Sequence, residues 1–154
     1  MRQRLRLPRR AVPGPMGAIL LEVAADFAID ANRVLAGTAI DEAALSAPDT
    51  RITMRDHTRM LENCFAFSGE PGFALYYGSR ISVAALGVLG YALMCCRNVQ
   101  ELVEVLGRYH RLISGSFHIS IETANDVLAV RLLGGMLESA VQPVDCEIFF
   151  SAAA

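Results

Sequence analysis

Residues Leu86–Ser114 read LGVLGYALMCCRNVQELVEVLGRYHRLIS, and this stretch decides the fold. Its first part belongs to a run, Val83 to Cys96, that is apolar nearly all round, as a central helix should be. Asn98 then stands where a side-chain oxygen can cap a new helix. Behind it Val99, Leu102, Val103, Leu106, Tyr109 and Ile113 recur at helical spacing as an inner stripe. Glu104 and Arg108, four apart on the outer face, can pair for a few tenths of a kcal/mol at most. After Ser114 the period changes. Phe117, Ile119 and Ile121 alternate with His118, Ser120 and Glu122, which is strand spacing. Asn125-Asp126 suits a hairpin turn, and Val127 to Leu133 reads as the returning strand. The expected class is therefore α+β: a multi-helix N-terminal half, about residues 16 to 113, packed on a small antiparallel sheet.

Working upstream, Met16 to Phe27 carries Ile19, Leu20, Val23 and Phe27 at helical spacing. Asp30 can cap a short helix through Leu35, which Gly37 stops, and Asp41 starts another short turn ending before Pro48. Thr53 with Asp56 resembles a capping box, and the helix behind it places Met54, Met60, Leu61, Cys64 and Phe65 on one stripe. Gly69 closes that helix, and Pro71 opens the next, with Phe73, Leu75 and Tyr76 as its apolar residues. Downstream, Pro143 suits the first position of a helix, with Asp145 and Glu147 favourable in its first turn. That helix is expected to be barely begun where the sequence stops at Ala154.

A chain of 154 residues suits one domain with a substantial core. Apolar residues make up 53% and charged residues 19%, with no low-complexity tract, so a folded chain is the default. The 14 basic residues are all arginine, and five fall in the first ten positions, MRQRLRLPRR. From residue 11 onward nine arginines face 16 acidic residues, a balance of about −7 that disfavours a nucleic-acid-binding body. Residues 1–15 read as an Arg/Pro-rich disordered terminus, and 16–154 as the domain. Arg9-Arg10 does not make the terminus an export signal, because Pro13 and Pro15 interrupt the segment behind it and Glu22 sits in the next apolar run. The longest uncharged run, Ile81 to Cys96, is short for a membrane span and contains Gly87 and Gly90, so no membrane partner is expected. Cys64, Cys95, Cys96 and Cys146 show no disulfide spacing, which points to reduced thiols in the cytoplasm.

Several residues invite a chemical reading. His57 and Cys64, seven apart on one helix face, can point at a common ion. A zinc site wants about four ligands, usually in tight pairs, so His57 is better read as continuing the Met54–Leu61 stripe, and no metal is expected. Adjacent Cys95-Cys96 is no CxxC motif, and free thiols are the expectation. Neither a Gly-rich phosphate loop nor HExxH, GxSxG or a paired-carboxylate motif is present, so no catalytic residue and no cofactor is assigned. Tyr91, Tyr109, His110 and His118 collect where helices hand over to the sheet. Rings with polar tips suit a pocket that has apolar walls and a few oriented hydrogen bonds. With Phe117 they form the candidate ligand-binding set, at the junction of α-half and sheet.

The order and wording of Asp49 to Ser114 also carry a family resemblance. Arg51-Ile52 precedes the Thr53 helix. Ser68-Gly69-Glu70-Pro71-Gly72 comes after it, with Leu75 and Gly78. Leu86-Gly87-Val88-Leu89-Gly90-Tyr91-Ala92-Leu93 and then Arg108-Tyr109-His110-Arg111-Leu112 complete the set. Together these segments resemble the N-terminal effector-sensing, arabinose-binding-like domain of AraC/XylS-type transcriptional regulators. The resemblance implies a cytoplasmic sensor of a small-molecule effector, a homodimer, and DNA binding only through a C-terminal domain with two helix-turn-helix motifs. Nothing in this sequence corresponds to that second domain, so the chain reads as a sensing domain incomplete at its C-terminus, with an effector that need not be a sugar. Two other readings stand beside it. One is a haem or gas sensor, although its Tyr-x-Ser-x-Arg pattern is met only by Tyr77 and Ser79, with Ile81 in the Arg position. The other is a dimerisation module without ligand.

Overall fold

Gly14–Asp26 forms the helix α1 around which the others gather, in a computed structural model that describes residues 11–45, 47, 49–113, 117–124, 127–134 and 142–153. Pro15 sits in its first turn, where a missing N–H costs no hydrogen bond. Leu20, Val23 and Ala24 are buried completely on its inner face. Just before it, strand β1 (Ala11–Pro13) pairs antiparallel with β2 (Arg51–Thr53), Val12 opposite Ile52. The expected disordered terminus therefore needs correcting at its upper end. Residues 11–15 are ordered because Val12 enters the core and β2 takes up the strand's backbone hydrogen bonds. Residues 1–10 lie outside the described residues.

The short helices α2 (Ala31–Leu35) and α3 (Glu42–Leu45) begin where the sequence places their caps. Asp30 accepts the Asn32 N–H at 2.8 Å, and Asp41 accepts the Ala43 N–H at 3.2 Å. Helix α4 (Met54–Ser68) opens on the Thr53–Asp56 pair. Thr53 Oγ1 accepts the Asp56 N–H at 3.1 Å and donates to the Asp56 carboxylate at 2.7 Å. Gly69, at φ 62°, ends the helix in the left-handed region that glycine enters freely. Between these signals α4 buries Met54, His57, Met60, Leu61 and Cys64.

Helix α5 (Phe73–Arg80) turns a different face inward from the one read in the sequence. Phe73 is held between the rings of Phe27 and Phe65, at 5.2 and 5.5 Å. Helical rotation then carries Ala74, Tyr77 and Gly78 into the core and leaves Leu75 and Tyr76 half-exposed. The single helix expected over Val83 to Cys96 is broken. A 3-10 turn, Val83–Leu86, precedes α6 (Val88–Met94), and Gly87 between them has φ 62°. Gly90 lies so close to the Val83 carbonyl that a Cβ has no room there.

Asn98 caps α7 (Val99–Tyr109) by accepting the Glu101 N–H at 2.9 Å, and a 3-10 turn, His110–Leu112, comes next. Val103 and Ile113 of the expected stripe are buried, whereas Val99 and Tyr109, at the two ends of α7, are exposed. Leu89, Leu93 and Ile113 form a second, smaller core there with Leu86, Leu102 and Leu106. The hairpin β3 (Phe117–Ala124) and β4 (Val127–Gly134) has the expected antiparallel register, Ala124 opposite Val127. The Asn125-Asp126 turn itself lies outside the described residues. Ile121 seats the hairpin against Gly107 of α7. The class is α+β, and among the described residues there are two small antiparallel sheets where one was expected. Among the described residues no helix is long and apolar enough to cross a membrane.

Helix α8 (Gln142–Ala153), expected as a bare beginning, runs for 12 residues along α5. The two approach closely at Gly78, where an added Cβ falls 2.5 Å from the Ile148 carbonyl oxygen and 2.8 Å from Ser151 Cβ. Ser151 Oγ donates to the Leu75 carbonyl at 2.6 Å beside this contact. In an ordinary helix Gly→Ala stabilises by about 1 kcal/mol. At Gly78 the sign reverses, because backbone must move: Gly78→Ala is expected to cost about 2 kcal/mol in urea unfolding, while Leu75→Ala stays within about 0.5 kcal/mol of the parent. An unchanged or raised midpoint for Gly78→Ala would mean that α8 does not pack there.

Candidate functional site

A partly open cavity lies between the broken segment ahead of α6, α6 itself, α7 and α8. Its volume is about 470 Å³, within the range of small-molecule sites. Ile81, Val83 and Leu86 reach it from the broken segment ahead of α6, and Leu93 and Met94 from α6 itself. The α7 side brings Leu102, Leu106 and Ile113, and α8 brings Ile148, Phe149, Ala152 and Ala153. Val12, Met16 and Met54 complete the apolar wall. Among the described residues two lining side chains are polar, His57 and Asp145.

His57 is placed by the α4 stripe, one helical turn after Met54, and only 5% of it is exposed. Its Nε2 lies 3.3 Å from the hydroxyl of Tyr77, a residue that α5 turns wholly inward. The Tyr77 hydroxyl also donates to the Met16 carbonyl of α1 at 2.9 Å. The chain Met16–Tyr77–His57 thus fastens three helices. Nδ1 of His57 is buried with no hydrogen-bond partner, an arrangement that proteins seldom leave without a use.

The surroundings fix the charge states. Burial lowers the His57 pKa from 6.5 to about 4, so the ring is neutral at physiological pH. Burial, then the neighbouring Cys64 and Asp145, raise the Tyr77 phenol above its ordinary value, and it keeps its proton. Burial also pushes the Cys64 thiol up to about 12, so it packs as an apolar group and not as a nucleophile. Among the described residues no group of three or more His, Cys, Asp or Glu side chains can hold a metal ion.

Of the five residues singled out from sequence, Tyr91, Tyr109 and His110 lie elsewhere. Tyr91 on α6 is 65% exposed and Tyr109 at the end of α7 is 45% exposed. His110 is buried, and its Nδ1–H donates to the Gly107 carbonyl at 2.9 Å. None of these three lines the cavity. Phe117 and His118 open β3, and their side chains lie outside what is described. His57 was legible as an inward position. Its pairing with Tyr77, twenty residues on, carries no local sequence signal.

Comparison with known proteins gives a consistent set. Residues 29–153 match the family model described as the arabinose-binding domain of AraC transcription regulators, N-terminal. The chain is 31% identical over 134 residues to uncharacterised HTH-type transcriptional regulators of Mycobacterium bovis and Mycobacterium tuberculosis, covering 86% of this chain and 37% of each relative. It is 24% identical over 121 residues to the ornithine utilization regulator of Pseudomonas aeruginosa, covering 79% of this chain and 36% of that protein. The chain thus spans about a third of the length of these relatives.

The buried imidazole also gives the domain a pH dependence whose sign is fixed. The unfolded chain takes up a proton on His57 near pH 6.5, the folded chain only near 4. The stabilisation is fully present above 6.5 and is lost as pH falls toward 4, by roughly 3 kcal/mol in total at 1.36 kcal/mol per pH unit. Urea midpoints for the parent and for His57→Phe, compared at about pH 7.5 and about pH 4.5, isolate this group from Asp145 and the other carboxylates. The parent is expected to lose more stability than the variant, and parallel losses would refute the assignment.

Proposed function

Since this chain belongs to the family of arabinose-binding N-terminal domains of AraC transcription regulators, we propose that its central cavity is the effector site through which a longer, cytoplasmic, dimeric regulator is controlled. The family and the relatives are transcription regulators and not enzymes, and the domain is a regulatory sensing domain. In this proposal DNA binding belongs to a separate helix-turn-helix domain, as the names of two relatives suggest. The effector sits in the α4–α7–α8 cavity and not at the α7–β3 junction.

The observation that carries the reading is a sizeable cavity whose described walls are almost wholly apolar. A ligand that fills the volume gains hydrophobic contact with these walls. Five of the described lining residues, Asp145 among them, belong to α8, which packs closely on α5 at Gly78 and Ser151. Filling the cavity therefore acts on α8 packing. To regulate, the effector must bind one arrangement of the domain more tightly than another.

Thermal unfolding in the presence of a metabolite library tests this. An effector at about a hundred times its Kd adds about 2.7 kcal/mol, which raises Tm by roughly 5 to 10 °C in a domain of this size. Leu106→Trp, which fills the cavity from its α7 side, is expected to fold and to lose that rise. A library in which no compound moves Tm, or a rise that survives in Leu106→Trp, goes against the proposal.

A further inference from the structure

Helices α4 and α7 turn charge to the water, with Arg55, Arg59 and Glu62 exposed on one and Glu104 and Arg108 on the other. Helix α6 does not, for it lies within Ile81 to Cys96, a run without a single charge. Leu89, Gly90 and Leu93 take its inner face. That leaves Val88, Tyr91, Ala92 and Cys95 outward, at the i, i+3, i+4, i+7 spacing of a helical seam. Cys95 continues the helical turn, its N–H donating to the Tyr91 carbonyl at 3.2 Å. Val88 is 82% exposed, Tyr91 65%, and Met94, one turn on from Tyr91, 56%. A contiguous apolar stripe left this open marks a surface that another surface covers.

Three features point to a second copy of the same chain. The seam is symmetric about the midpoint between Tyr91 and Ala92. A two-fold axis there lays two α6 helices antiparallel, with each Tyr91 against Ala92 of the second copy, large on small, and each Val88 against Cys95. Charge favours the same contact. From residue 11 onward nine arginines face 16 acidic residues, so two copies repel each other over most approaches, and an uncharged helix is where they can touch. The area suffices as well. The stripe and Met94 expose on the order of 500 Å² per copy, so a pair buries about 1,000 Å² before any flanking contact, the floor for a specific interface.

We propose that α6 is the seam of a homodimer, packed antiparallel on α6 of a second copy. This names the surface of the dimer in the reading above and rests on that dimer. Val83 and Met94 are both exposed and part of the cavity wall, so the seam runs beside the cavity's rim, where a bound effector can favour one paired arrangement over another.

Sedimentation equilibrium of the full chain tests the surface. Between about 5 µM and about 200 µM the average mass is expected to rise from 16.7 kDa toward twice that value, as an interface of this size implies a modest affinity. Tyr91→Glu and Ala92→Glu are each expected to raise the dimer Kd at least ten-fold while keeping the parent's urea midpoint, since both positions face water in the single chain. The register is read by oxidative cross-linking with copper-phenanthroline and dioxygen. Val88→Cys is expected to give a disulfide-linked dimer through Cys95 of the second copy, and Val88→Cys with Cys95→Ser to lose it. A dimer that both glutamate variants leave intact overturns the seam and leaves the dimer standing. A chain that stays monomeric throughout overturns both, while the effector site still stands or falls by its own rise in Tm. A monomer whose urea midpoint Tyr91→Glu lowers has the stripe covered by its own chain, which also overturns the proposal.

Discussion

A tyrosine hydroxyl buried among hydrocarbon must be hydrogen-bonded, and that requirement at Tyr77 organises the centre of this domain. The side chain has no exposed surface, so leaving its oxygen unpaired costs more than most single contacts contribute. It is satisfied from two directions, by the Met16 carbonyl of α1 and by His57 of α4. A shift of α5 along its axis breaks both bonds together. Phe73, one turn earlier on the same face, is held between Phe27 and Phe65, so ring packing and polar satisfaction fix the same register. Close packing of α5 on α8 through Gly78 results from that register, because glycine then faces the Ile148 carbonyl.

The parts of the fold legible in the sequence are those whose cause is local. Asp30, Thr53 and Asn98 cap helices by bonding to backbone N–H groups two or three residues on, and the residue types announce it. The β3–β4 hairpin shows in its alternation. Three features were hidden because their cause is distant. The apolar run from Val83 reads as one helix, since nothing in the residue types reveals that Gly87 takes φ 62° or that Gly90 presses on the Val83 carbonyl. The inward face of α5 is chosen by Phe27 and Phe65, which lie on other helices. The strand Ala11–Pro13 is too short for any periodicity, and its order comes from a partner forty residues away.

The same division explains the site. Tyr91 and Tyr109 attract attention because aromatic rings with polar tips suit a binding pocket, but each stands on a turn that faces outward. The cavity walls come instead from leucine, isoleucine, valine and methionine, residues that in sequence are indistinguishable from core. A cavity of this kind is core that fails to meet, and its position depends on how α6, α7 and α8 are held apart. One of its two described polar wall residues is a histidine that reads as one more member of a buried stripe.

Tyr77 is not among the described wall residues, yet its hydroxyl decides which nitrogen of the wall residue His57 carries the proton. Its own orientation is dictated by a main-chain oxygen, which no substitution at Met16 removes. A single change of Tyr77 to phenylalanine in a descendant frees the imidazole to hold its proton on either nitrogen, while every described wall residue stays the same. A comparison confined to the walls passes over such a change.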